Sequence, residues 1–121
     1  MTIERGEIQE LTSKYVKPSI GVLGSHSAEE VAVSAKCAGL KTVVVCQKGR
    51  EELYAKYNRF LFDEVILLDR FENIIDDEVQ DRLRELNTIF IPNRSFTVYV
   101  GWRNIEDKFY IPIYGNRYLL K

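Results

Sequence analysis

Short apolar runs alternate along this chain with stretches whose apolar residues recur at helical spacing. Ile3 to Tyr15 carries Ile8, Leu11 and Tyr15 on one helical face. Lys17-Pro18 stops it, because proline drives its predecessor out of the helical region. Ser19–Leu23 reads as a first strand, and the polar break Gly24-Ser25-His26-Ser27 follows it. A helix comes next, with Val31, Ala35 and Ala38 on one face. Ser27 is its expected N-cap, Glu29 and Glu30 complement its dipole, and Gly39 closes it in a left-handed conformation. Thr42–Cys46 is apolar and β-branched, as a strand covered on both faces should be. An irregular helix is expected over Glu51–Phe60 and a third strand over Glu64–Leu68. A polar helix over Asp76–Leu86 turns Val79, Leu83 and Leu86 inward, and a fourth strand, Thr88–Ile91, ends at Pro92. Asn93-Arg94-Ser95 reads as a turn, with Ser95 capping a short helix through Tyr99. Lys108–Ile113 is extended, but Pro112 confines it to an edge or bulge, and Gly115-Asn116-Arg117 is a turn. Strands alternating with helices predict an α/β domain on a parallel sheet.

Composition narrows this little. A length of 121 residues suits one domain, and a 45% apolar content suffices for a core. The net charge of −1 gives no basic excess for nucleic acid. No apolar run approaches the ~20 residues that span a bilayer, and MTIERGEIQE lacks a signal-peptide apolar region. Cys37 and Cys46 have no metal-ligand spacing; both read as buried, reduced thiols in a cytoplasmic protein, a disulfide between them being the alternative. The apolar end Tyr118-Leu119-Leu120-Lys121 needs something to pack on, which suggests a domain separated from its neighbour.

Ligands of open parallel sheets bind outside the carboxyl ends of the strands, so chemistry is sought in the residues that follow each strand. Gly24, Ser25, His26 and Ser27 occupy a helix N-terminus, where free N–H groups and the dipole favour an anion. His26 is the one histidine; it can donate to or accept from a heterocycle, and it titrates near neutrality. The bland reading is a capped connection, since the turn is neither G-x-G-x-x-G nor a phosphate-binding loop. Lys48 and Arg50 flank Gly49 after the second strand and suit a phosphate, or merely a solvated loop. Ser95 follows the fourth strand and offers a hydroxyl or an N–H, or plain capping. Arg94 and Arg117 are anion contacts or surface charge. The carboxylates mostly mark helix starts, and nothing resembles a nucleophile elbow or a zinc site. Trp102 and the tyrosines read as packing.

Four segments, in order, resemble the amino-terminal domain of the PurP family, the archaeal formate-dependent ligases of purine synthesis. They are Leu23-Gly24-Ser25-His26-Ser27, Lys48-Gly49-Arg50, RLRELNTIFIPNRSF from Arg82 to Phe96, and IPIYGNRYLL from Ile111 to Leu120. The resemblance implies a Rossmann-like three-layer sandwich with a mostly parallel sheet of four or more strands, a pre-ATP-grasp domain filling residues 1–121. An ATP-grasp domain that binds ATP and Mg2+ would follow downstream of it. It implies a cytoplasmic ligase of IMP biosynthesis that formylates 5-aminoimidazole-4-carboxamide ribonucleotide (AICAR) with ATP and formate, and that tends to form homo-oligomers. His26 and Ser95 match the family residues that contact AICAR. Where that family commonly has His-Gly before the serine, this chain has Asn93-Arg94. By itself the domain is expected to bind substrate without catalysing ligation, with His26 the one candidate for a catalytic part. A free-standing module for a phosphorylated purine precursor and a non-catalytic interaction domain remain as alternatives.

Overall fold

Strands β1 (Ser19–Leu23), β2 (Lys41–Gln47), β3 (Glu64–Leu68) and β4 (Thr88–Ile91) pair in the order β3-β2-β1-β4, every pair parallel. The computed structural model describes residues 3–15, 17–24, 28–49 and 61–114. Helices α1 (Arg5–Ser13), α2 (Ala28–Cys37), α3 (Asp77–Glu85), α4 (Arg94–Val100) and α5 (Trp102–Asp107) surround the sheet, with a 3-10 helix at Phe71–Ile75. The α/β class and all four strands agree with the sequence expectation. Expectations for residues 51–60 and 115–121 lie outside the described residues.

Alternation along the strands divides the core in two. Val22, Val44 and Cys46 face α2 and pack with Ala28, Ala32 and Phe62. Leu23, Val43, Val45, Leu68 and Phe90 face the other way, against Phe71, Ile74, Leu83, Phe96, Ile105 and Phe109. Phe90, Phe96 and Phe109 form a triangle of rings with centroids 4.7, 5.4 and 5.1 Å apart. The helices of the β1–β2 and β3–β4 crossovers therefore use opposite faces, α2 on one and α3 on the other, as in a doubly wound sheet. Thr42–Cys46 of β2 is buried throughout, whereas edge strand β3 is largely half-exposed.

Several expectations are corrected. The inner face of α2 is Ala28, Ala32 and Ala35, with Val31 half-buried and Ala38 exposed. Alanines let the helix lie close to the sheet, and Ala38 falls in the turn that Gly39 closes at φ 75°. Cys37 is exposed at the end of α2, Cys46 is buried, and neither is in a disulfide. Asn93, not Ser95, caps α4: its side chain accepts from the Phe96 N–H at 2.9 Å. The 3-10 helix and α5 were not foreseen, since five and six residues are too few to display a period.

The buried Gln80 on α3 was also missed. Its Nε2 donates to Ile75 O at 2.7 Å and Lys108 O at 2.8 Å, and its Oε1 accepts from the Tyr110 N–H at 2.6 Å. That strut holds the segment leading to Ile113, which bridges Phe90 in parallel as a further rung beside β4. Pro112 fits there because only its carbonyl is used, accepting from the Phe90 N–H at 2.8 Å.

Candidate functional site

The strand order fixes where a ligand can sit. From β1 the chain winds outward through β2 to β3, then returns to β4 on the other side of β1. The winding thus reverses between β1 and β4, and the crevice outside their carboxyl ends is the switch point at which doubly wound sheets bind ligands. Gly24 leaves β1 at this crevice, buried, with its N–H donating to Val45 O at 2.7 Å. On the opposite side Pro92 and Asn93 leave β4, and the backbone of Ser95 lies in the first turn of α4. The structure therefore brings the start of the Gly24 turn and the Ser95 segment to one crevice. Ser25, His26, Ser27 and Arg50 lie outside the described residues.

Lys48 follows β2, whose ladder to β3 continues through its N–H to Leu68 O at 2.8 Å. That is one strand further from β4 than Gly24, about 5 Å along the sheet. Its Nζ lies 2.8 Å from Asp69 Oδ1, both side chains being exposed. The hydrogen bond and charge of Lys48 hold the Asp69 carboxyl below its ordinary range. Asp69 was not foreseen as a partner, because the contact needs β2 and β3 side by side. Asn93 was also missed, although asparagine opening a helix is a capping signal in sequence. Arg94, also in the first turn of α4, is exposed.

An apolar groove of about 510 Å³ runs between α2 and the sheet, reaching Ile91 at the carboxyl end of β4 and lined also by Ile20, Val31, Ala35, Leu40 and Tyr114. Ile20 belongs to the amino end of β1 and Leu40 precedes β2. The groove therefore follows the sheet face, and Glu30 and Ser34 of α2 are its polar lining. Among the described residues no group of three His, Cys, Asp or Glu side chains could hold a metal ion. No helix among them is long and apolar enough to cross a membrane.

Residues 20–121 match the model of a family described as a protein of unknown function, DUF1246. The chain belongs to the DUF1246 family. Its relatives include proteins named 5-formaminoimidazole-4-carboxamide-1-(beta)-D-ribofuranosyl 5'-monophosphate synthetase. The one from Methanopyrus kandleri is 46% identical and the one from Methanothermobacter thermautotrophicus 42%, each over 98% of this chain and 33% of the relative. The Methanocaldococcus jannaschii protein of that name is 39% identical over the same shares. This DUF1246 chain thus spans about a third of the length of the curated relatives it matches. Its fold is shared with the crystal structure of an IMP biosynthesis protein PurP from Thermococcus kodakaraensis, with a TM-score of 0.65 and 24% identity over 81% of this chain and 29% of that one.

The DUF1246 crevice lies between Gly24, which is buried, and a helix opening held by an asparagine cap. Such a rim can position a small polar molecule. Three of the described carboxylates are in close ion pairs: Asp63 with Lys36, Asp69 with Lys48 and Asp81 with Arg84.

Proposed function

We propose that this chain is the substrate-binding amino-terminal domain of an ATP- and formate-dependent ligase that formylates AICAR in IMP biosynthesis. The observation that carries the reading is the adjacency of β1 and β4, which sets the turn beginning at Gly24 against the segment holding Ser95. The name borne by the relatives, a synthetase of the formamido nucleotide, supports AICAR as the guest. In this reading Ser25, His26 and Ser95 hold the base or ribose, with Gly24 and Ser27 completing the rim. Lys48 and Arg50 take the phosphate. The Lys48–Asp69 pair is exposed, and solvent screens exposed ion pairs, so a phosphate can displace Asp69. His26 orients the amine or carboxamide, and the reaction depends on proximity and exclusion of water.

ATP and Mg2+ belong to the remainder of the longer protein. Among the described residues no group of three His, Cys, Asp or Glu offers a donor set for the metal. Two thiols outside any disulfide, that of Cys37 exposed, fit the reducing cytoplasm. Calorimetric titration of AICAR tests the reading. The chain should bind AICAR in preference to inosine or ribose 5-phosphate, and His26→Ala should weaken binding about tenfold, as loss of a hydrogen bond to a charged or polar guest does. Equal affinity for the three ligands, or none for AICAR, would end it.

A further inference from the structure

Asn93 does more than cap a helix. The β1–β4 ladder begins with the Ser19 N–H donating to Asn87 O at 2.9 Å, in a register that pairs Ser19 with Thr88 and Val22 with Ile91. Continued two residues at a time, that ladder would send the Asn93 N–H to Leu23 O. The chain departs from the pattern: the Asn93 N–H turns back to Ile91 O at 3.0 Å, and its side-chain Nδ2 donates to Leu23 O at 3.3 Å instead. The side chain supplies the rung that the backbone has given up. Its Oδ1 meanwhile accepts from the Phe96 N–H.

Leu23 O and the Gly24 N–H belong to one planar peptide unit. Its carbonyl is held by Asn93 from the β4 side, and its N–H by Val45 O from the β2 side. This is the last peptide before the turn that carries Ser25, His26 and Ser27. We infer that Asn93 is a positioning residue, which fixes the plane from which that turn departs and locks it to the start of α4. The ligand part of this inference rests on the proposed AICAR reading. The geometric part does not.

Two variants separate capping from the tie. Asn93→Asp and Asn93→Ser both keep an oxygen for the Phe96 N–H. Aspartate has no donor for Leu23 O, and serine is too short to reach it. In the full chain, both should speed exchange of the Gly24 amide about tenfold, as measured by NMR, with the Val44 amide unchanged, and should weaken AICAR about tenfold. Unchanged Gly24 exchange in both variants overturns the inference. So does faster exchange with undiminished AICAR affinity, or an equal rise at Val44, which would make Asn93 a general stability residue. If the wild-type chain takes up no AICAR, the functional reading fails, and the Gly24 amide still decides whether Asn93 holds the plane.

Discussion

At the scale of single residues, the middle of β1 shows how little room the sheet leaves. A Cβ on Gly21 would lie 2.5 Å from Thr88 Cγ2 and 3.0 Å from Phe90 Cδ1. Neither neighbour can yield: Thr88 is β-branched and fully buried, and Phe90 sits in the triangle of rings. Gly21→Ala should therefore cost about 1–3 kcal/mol, the usual penalty of overpacking, and should lower the melting temperature by several degrees. Adding Thr88→Ser removes the offending methyl and should recover part of the loss in the double variant. A melting temperature unmoved by Gly21→Ala would mean that β1 and β4 are not packed as described. Thr88 is bound at its carbonyl too, where the Tyr15 hydroxyl donates at 3.0 Å and ties the segment after α1 to β4. Burial pushes that hydroxyl up to about 12, with Arg84 pulling the other way, so it stays a donor at all ordinary pH.

Among the elements, α2, β2 and β3 are joined by one carboxylate. Asp63 accepts from Lys36 Nζ at 2.9 Å and from the Thr42 N–H at 2.8 Å, and its own N–H donates to Thr42 O at 3.0 Å. Burial works to raise the Asp63 carboxyl, but hydrogen bonds from Lys36 and Thr42 and the Lys36 charge together hold it below its ordinary value. A carboxyl lowered in the fold binds fewer protons there than in the unfolded chain. Its contribution is therefore complete above the ordinary carboxylate range and is lost as pH falls through the folded value. Asp63→Ala should lower stability at neutral pH by about 1–3 kcal/mol. It should also flatten the decline between neutral and acid pH in denaturant titrations. A variant that kept the wild-type acid slope would show that Asp63 does not carry it.

The same scale explains what was legible in the sequence. The strands were, because Val43–Cys46 and Val65–Leu68 are continuous apolar runs closed by polar residues, although β2 extends one residue beyond the expected Thr42–Cys46 at each end. The Gly24 turn and Ser95 were legible as site candidates, since the alternation of elements puts both after strands. The Lys48–Asp69 pair and the Asn93 tie were not, because each joins residues that become neighbours only once the order β3-β2-β1-β4 is known. Asn93 and Ser95 are both good capping residues two positions apart, and only backbone geometry shows that Asn93 is the cap.

For the molecule as a whole, the division of labour proposed above follows from where polar groups and apolar surface lie. One sheet face is sealed by four helical segments, while the α2 face leaves its groove open and Tyr114 exposed. Among the described residues no group of three His, Cys, Asp or Glu side chains could hold a metal ion. Relatives three times as long have room for the rest of an active site. Formylation of a weakly nucleophilic amine needs the activated formate kept from water, which one rim of a crevice cannot do. The full chain should accordingly bind AICAR yet release no ADP when given ATP, Mg2+ and formate. Supplying the remaining two-thirds of a longer relative as a separate polypeptide should restore turnover, with a rate that rises with the concentration of either part and is abolished by His26→Ala. Formamido nucleotide formed by the chain alone would instead put the whole reaction inside these 121 residues.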